Sequence, residues 1–281
     1  MYISKLISIG SETLKKNNVS THLLDSELLI SNTLKKSRES ILTSLEEKVS
    51  IKNISAFKKL IERRVKKEPM AYILKKKEFW SKNFFVNIDT LIPRPETEIL
   101  VEKIVKHFKS KETFVLDIGT GSGCIIIALM SEMNKSRGIG IDISKKAINI
   151  ARYNTKKLGL NSKIKFYNRN LDQIFGFKFD IIVSNPPYIC SHQIKNLSDD
   201  IKKYEPRIAL DGGNDGLDVI KKVIYKSNSI LKRKGILALE IGRGQYKKVS
   251  KILKLQGYKE KYLIKDYQNN IRCIMSVLDS N

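Results

Sequence analysis

The chain has 281 residues, 41% hydrophobic and 29% charged, which is enough apolar mass for a sizeable core and, at roughly 150 residues per domain, for about two domains. With only 15 Gly and 6 Pro, collagen-like and low-complexity chains are excluded. Lys and Arg total 53 against 29 Asp and Glu, a formal charge of +24 that suits an anionic or nucleic-acid partner, although only 11 of the basic residues are arginine, so nucleic-acid binding is allowed rather than required.

Over residues 1–73 apolar side chains recur three and four apart: Leu6, Ile9 and Leu14; Leu23, Leu24, Leu28 and Leu29; Leu42 and Leu45; Ile54, Phe57, Leu60 and Ile61. That spacing predicts several short amphipathic helices broken at Asn17-Asn18 and between Lys35 and Ser40, a small helical domain. Residues 74–91 change to a β-prone texture, with Phe79, Trp80, Phe84, Phe85, Val86 and Ile88 around Ser81-Lys82-Asn83, which predicts a hairpin linker. From residue 92 to 281 short apolar runs alternate with helix-length stretches. Strands are expected over Thr113–Ile118, Gly138–Ile143, Lys163–Tyr167, Phe179–Val183 and Ile236–Ile241, and helices over Ser122–Met133, Ser144–Leu158 and Leu217–Leu231. Such alternation implies a mostly parallel sheet covered on both faces, an α/β fold. Lys259–Lys265 and Arg272–Leu278 have only Asp266–Asn270 between them, so they are expected to close the sheet as an antiparallel pair.

Cys124, Cys190 and Cys273 show no Cys-x-x-Cys or Cys/His ligand spacing, so no metal site is expected and a reducing cytoplasm fits. The amino terminus lacks the pattern of a signal peptide. No apolar run approaches the ~20 residues of a membrane span, so a cytoplasmic chain without membrane partners is expected. His22, His107 and His192 are scattered and read as surface or packing residues.

Phe114-Val-Leu-Asp-Ile-Gly-Thr-Gly-Ser-Gly-Cys124 is an apolar strand running into a glycine-rich turn and then a helix. Such a turn lets backbone approach a ligand where a Cβ would clash. Asp142 ends the next strand, 19 residues after Gly123, where a carboxylate accepts hydrogen bonds from both hydroxyls of a ribose. Nicotinamide dinucleotides and S-adenosylmethionine both satisfy that arrangement. Two features favour the latter. Asp117, two residues before Gly119, would repel a pyrophosphate but suits a ligand bearing an ammonium and a sulfonium, and the spacing is Gly-x-Gly-x-Gly over Gly119, Thr120, Gly121, Ser122 and Gly123.

The strand over Phe179–Val183 runs through Ser184 directly into Asn185-Pro186-Pro187-Tyr188. Two successive prolines cannot continue a ladder, so the chain leaves the sheet at the carboxyl edge of the strands, where open α/β sheets bind ligands. These four residues can form a clamp for a planar NH2 group. An amide or exocyclic amine is a poor nucleophile because its lone pair is delocalised, so it must be oriented and polarised. The Asn185 carboxamide oxygen and the Pro186 carbonyl can each accept one N–H, neither proline offers a competing N–H, and the Tyr188 ring can pack on a planar substrate. Catalysis of this kind rests on positioning and electrostatics, without a covalent nucleophile.

Asp117 to Gly123, Asp142, Asn185 to Tyr188 and the upstream Leu91-Ile-Pro-Arg-Pro-Glu-Thr-Glu98 together resemble the peptide chain release factor glutamine methyltransferase family. The likeness extends to Glu68-Pro69, Ala71-Tyr72, Glu78-Phe79-Trp80, Tyr204 to Gly213 and Asp215-Gly216-Leu217. It implies a Rossmann-like S-adenosylmethionine-dependent methyltransferase domain behind a helical substrate-docking domain. It also implies that the partner is a class 1 peptide chain release factor, methylated on the side-chain nitrogen (N5) of its Gly-Gly-Gln glutamine. The turn from Gly119 to Gly123 and Asp142 would hold the cofactor. Asn170 stands where the family usually has an acidic residue and Leu171 where it often has an aromatic against the adenine; both are carried over as cofactor contacts. Asn185 through Tyr188 carry over to the glutamine amide, with Asn185 bordering the cofactor as well. For Arg94 to Glu98, a helix N-terminus and a direct ligand contact are both open readings. Methylation of a ribosomal-protein glutamine, or of an adenine or guanine amine in nucleic acid, is the alternative reading. A non-enzymatic cofactor-binding scaffold is a third.

Overall fold

The computed structural model describes residues 1–279 and divides the chain into two compact units, Met1–Lys76 with Ser198–Tyr204, and Lys77–Leu197 with the chain from Glu205 onward. The first unit contains α1 (Ile3–Lys16), α2 (His22–Leu34), α3 (Arg38–Leu42), α4 (Ile51–Val65) and the one-turn α5 (Met70–Ile73). The break at Asn17-Asn18 falls as expected, whereas the one expected between Lys35 and Ser40 is shorter because α3 already starts at Arg38, capped by Ser37; Asn18 and Lys35 reverse the chain with φ of 55° and 56°. Ile3, Leu6, Leu14, Leu29, Ile30, Phe57 and Ile61 form its core.

Within that unit α2 is rotated away from the face that its leucine spacing suggests. Leu23 and Leu24 are 50% and 43% exposed, while Asp25, Ser26 and Glu27 are buried. The reason is the close approach of α1: a Cβ on Gly10 would lie 2.5 Å from Ser26 Oγ, and that hydroxyl donates to the Ile7 carbonyl at 2.9 Å. The buried carboxylates are neutralised locally, Asp25 by Arg64 and Glu27 by Arg38, each at 2.7 Å.

The second unit begins with a hairpin, β1 (Lys77–Phe79) and β2 (Lys82–Phe84). Its turn is Trp80-Ser81, not the polar Ser81-Lys82-Asn83, and both residues are left-handed at φ 51° and 52°, as a two-residue turn of matching twist requires. The Trp80 amide donates to Glu98 Oε1 at 2.8 Å and its indole to Glu132 Oε1 at 3.1 Å, so side chains outside the hairpin hold this turn in place. There follow α6 (Pro95–Phe108), β3 (Phe114–Ile118), α7 (Cys124–Glu132), β4 (Arg137–Asp142), α8 (Lys145–Lys157), β5 (Ile164–Asn168) and β6 (Phe179–Ser184). After α9 (Asp199–Tyr204), which clusters with the first unit, come α10 (Asp218–Ile230), β7 (Leu231–Glu240), α11 (Tyr246–Leu255), β8 (Tyr258–Lys265) and β9 (Ile271–Leu278).

The sheet order is β5-β4-β3-β6-β7-β9-β8. All pairs from β5 to β7 are parallel, whereas β9 runs antiparallel to both β7 and β8, the expected closing pair. Leu116, Ile182, Leu237, Leu239 and Ile274 belong to the core cluster around this sheet. β7 starts five residues before the expected Ile236 because Leu231 already pairs with Phe179, the register then shifting so that Ile181 faces Ile236. The spacing of Val249, Ile252 and Leu253 is helical, yet α11 is absent from the elements read in the sequence.

Candidate active site

β3 and β6 are neighbours, and the connections from β3 run outward to β4 and β5 on one side while β6 and β7 lie on the other. This reversal makes a switch point, a crevice outside the carboxyl ends of the two central strands. The register sets Ile118 beside Ser184, and the Ser184 hydroxyl donates to the Ile118 carbonyl at 2.7 Å. The glycine-rich turn and Asn185 therefore leave adjacent strand ends, although 66 residues separate Ile118 from Ser184 in sequence.

The turn is folded back on β4. The amides of Gly119 and Thr120 both donate to the Ile141 carbonyl, at 3.0 and 2.9 Å, and the Gly121 amide donates to Asp142 Oδ2 at 2.9 Å. Gly119 and Gly121 have φ of 71° and 55°, and a Cβ on Gly119 would meet no protein atom within 4 Å. The left-handed backbone there thus borders open space that a ligand can fill. Asp142 uses one lone pair on each oxygen, Oδ1 accepting from the Ser144 amide at 2.9 Å, and keeps the others for further donors. Burial raises its carboxyl above the ordinary range, with the backbone amides opposing that rise.

Asp117 lies fully buried at the end of β3. Its Oδ2 accepts from the Thr120 hydroxyl at 2.7 Å, whereas Oδ1 is buried with no hydrogen-bond partner. Burial, opposed by the Thr120 hydroxyl, pushes this carboxyl up to about 7. A buried acceptor left unpaired costs about 1–3 kcal/mol, a cost that a donor or cation placed at Oδ1 would remove.

The Asn185–Tyr188 loop is held by a second network. Thr97 Oγ1 donates to Glu240 Oε2 at 2.6 Å and accepts from Asn185 Nδ2 at 3.2 Å. Glu240 also accepts from the Tyr188 hydroxyl at 3.3 Å, and Arg272 donates to that hydroxyl at 2.9 Å while lying 3.6 Å from Glu240. Burial raises the Glu240 carboxyl, with the Thr97 hydrogen bond and the Arg272 charge opposing it. The Tyr188 phenol is pushed up to about 12, first by burial and then by the Glu240 charge, so it stays protonated. Arg272 also stands over the Tyr188 ring, 5.3 Å from its centroid.

Behind the loop, backbone meets backbone. A Cβ on Gly216, whose φ is 72°, would lie 2.4 Å from the Tyr188 carbonyl oxygen. Gln245 Nε2 donates to the carbonyls of Tyr188 and Gly216, both at 3.0 Å. Pro186 is buried, and Pro187 and Tyr188 are half-buried.

The Arg94–Glu98 segment forms the N-terminus of α6, with Pro95 in its first turn and Glu96 and Glu98 near the positive end of the helix dipole. Arg94 is paired with the buried Glu205 at 2.5 Å, and the Ile92 amide donates to the same carboxylate at 3.2 Å. Asn170 caps a short 3-10 turn, accepting from the Asp172 amide at 3.4 Å, and Leu171 is buried in the core with Ile174. Glu240 and Arg272 were not singled out by the sequence, and Thr97 was included only as part of the Arg94–Glu98 segment. One signal was legible: Glu240 is the single charge in the apolar run Ile236–Ile241. Among the described residues no cluster of His, Cys, Asp and Glu could hold a metal ion, and no helix is long and apolar enough to cross a membrane.

Residues 95–203 match the methyltransferase small domain family, and residues 5–74 match the PrmC N-terminal domain family. A release factor glutamine methyltransferase of Clostridium acetobutylicum is 37% identical, over 99% of this chain and 99% of that protein. A bifunctional methyltransferase of Rickettsia prowazekii is 35% identical over 97% of this chain, which spans 56% of that longer relative. A solved methyltransferase from Pyrococcus furiosus shares the fold, with a TM-score of 0.54 at 16% identity over 70% of this chain and 89% of that one.

Proposed function

The chain belongs to the release factor glutamine methyltransferase family, S-adenosylmethionine-dependent enzymes of Rossmann-like fold, and from that premise we propose that it methylates the side-chain nitrogen of the Gly-Gly-Gln glutamine in class 1 peptide chain release factors. The observation that carries this reading is the Asn185 carboxamide: its NH2 is engaged by Thr97, its oxygen is the remaining acceptor, and it leaves the sheet beside the glycine turn. The residues of the crevice fit S-adenosylmethionine. Open space borders Gly119, Asp117 carries an unpartnered buried oxygen, and Asp142 retains acceptor capacity for a ribose. Thr120, Ser122 and Gly123 shape the turn, while Asn170 and Leu171 flank the adenine side in this reading.

When bound, S-adenosylmethionine supplies an electrophilic sulfonium methyl. The Asn185 Oδ1 and the Pro186 carbonyl each accept one N–H of the substrate amide, fixing the nitrogen and raising its electron density. Pro187 contributes no donor, and Tyr188, held by Glu240 and Arg272, packs on the amide plane. The proton leaves after transfer, so no strong base is needed. The first unit docks the release factor, and the exposed Leu23, Leu24, Leu42 and Leu45 provide apolar surface for it. A cytoplasmic setting is part of the same proposal.

Asp117 gives the reading a pH dependence. A ligand bearing an ammonium binds the carboxylate form, so cofactor affinity is expected to rise with pH up to about 7, by at most about tenfold per unit. Below that range binding releases a proton, which titration calorimetry in two buffers of different ionisation enthalpy detects. Asp117→Asn is expected to flatten the profile, and a flat profile in the wild type would remove Asp117 from the ammonium site. Without cofactor the sign is opposite for folding: the folded state holds the Asp117 proton at higher pH than the unfolded chain does, so this group's contribution to stability falls as pH rises from about 4 to about 7.

The direct test is peptide-level mass spectrometry of a purified class 1 release factor incubated with the protein and S-adenosylmethionine, with ribosomal protein and total RNA in parallel. The expected result is one methyl group on the Gly-Gly-Gln glutamine. Label only on ribosomal protein or RNA would reassign the substrate.

A further inference from the structure

We propose that Thr97 and Glu240 are positioning residues that set which way the Asn185 carboxamide faces, a role that rests on the amide-clamp reading above. A threonine hydroxyl has one proton. At 2.6 Å from Glu240 Oε2 that proton is committed to the carboxylate, so the same oxygen can only accept from its other neighbour. The neighbour is Asn185, 3.2 Å away. An amide has one donating and one accepting end, and only the donating end satisfies Thr97. Asn185 Nδ2 is therefore turned toward Thr97, and Oδ1 toward the substrate side, where a second acceptor is needed opposite the Pro186 carbonyl.

The buried carboxylate is what gives this chain of hydrogen bonds its direction. Glu240 is wholly buried, and Arg272 on β9 and the Tyr188 hydroxyl face it from the other side. Those two partners hold its second oxygen and support its charge without competing for the Thr97 proton. The arrangement needs α6, β6 and β7 together: Thr97 lies 88 residues from Asn185 and 143 from Glu240. Neither Thr97 nor Glu240 touches substrate in this scheme. They act by removing the flipped state of Asn185, in which an NH2 group would confront the substrate NH2.

The test compares Thr97→Val, which keeps the shape and removes the hydroxyl, with Thr97→Ser, which keeps the hydroxyl, and with Asn185→Ala and the Thr97→Val/Asn185→Ala double variant, all in the full chain. Thr97→Val is expected to lower kcat about tenfold, the worth of one net hydrogen bond, with the release factor KM and the cofactor Kd unchanged. Thr97→Ser is expected to recover most of that loss. The double variant should be no slower than Asn185→Ala, since the two residues act through one group. A Thr97→Val enzyme at the wild-type rate, beside an impaired Asn185→Ala, would overturn the positioning role and leave the clamp standing. An Asn185→Ala enzyme at the wild-type rate would overturn the clamp itself. Should Thr97→Val fail to fold, NMR of the wild-type protein decides: nuclear Overhauser effects between the Asn185 side-chain NH2 and the Thr97 side chain support the assignment, and their absence overturns it.

Discussion

Replacing Asn185 by alanine is expected to lower turnover by roughly 10², or about 3 kcal/mol, the cost of removing one preorganised polar contact to the reacting group. The substrate nitrogen is an amide, and its lone pair becomes available only when its N–H bonds are polarised and its plane is fixed. In the proposed clamp the Asn185 oxygen and the Pro186 carbonyl share that polarisation. The loss falls on kcat because the contact strengthens as positive charge develops on nitrogen during transfer. Folding should be little affected, because Asn185 is half-buried and Thr97 still donates to Glu240 when the carboxamide is gone. Single-turnover methylation of a purified release factor measures the effect. Cofactor affinity, read in parallel, should change much less.

Asp142→Ala is expected to act in the opposite way, weakening the cofactor by about 10- to 100-fold while leaving turnover at saturation nearly intact. A hydrogen bond to a charged group contributes about 1.5–3 kcal/mol, and the carboxylate at the end of β4 has lone pairs left for ribose hydroxyls. Part of the loss is indirect, since the same carboxylate fixes the amides of Gly121 and Ser144. Asp142→Asn separates the two contributions, because it retains one acceptor oxygen for the backbone and loses the charge. Calorimetric titration with S-adenosylhomocysteine provides the dissociation constants, and an unchanged constant for Asp142→Ala would remove this residue from the ribose site.

Most of the central sheet was legible because its strands announce themselves locally. Phe114–Ile118 and Phe179–Ser184 are short apolar runs that end abruptly, one in glycines that reach left-handed φ values without the steric cost a Cβ brings and one in two prolines that cannot donate to a ladder. These are steric properties of neighbouring residues, so the turn from Gly119 to Gly123 and the tetrapeptide from Asn185 could be recognised without knowing the fold. The hairpin was legible in kind but not in register. Aromatic Trp80 occupies a left-handed turn position that polar residues usually fill, and Glu98 stabilises it through the Trp80 amide. The leucines of α2 misled for a related reason: helical spacing shows that a face exists, while the close contact of Gly10 with Ser26 decides which face turns inward.

The sequence by itself determined the α/β class, the glycine turn with its acidic partner and the Asn-Pro-Pro-Tyr exit from the sheet, since each has a signature in residue types at short spacing along the chain. Only the tertiary structure decided that β6 lies beside β3, that the segment Ser198–Tyr204 clusters with the first unit, and that Thr97, Glu240 and Arg272 meet behind Asn185 and Tyr188. Strand order and the meeting of distant polar groups follow from how the whole chain buries its apolar surface while pairing most of the polar groups it encloses. That balance has no local signature beyond a lone charge such as Glu240 in an apolar run.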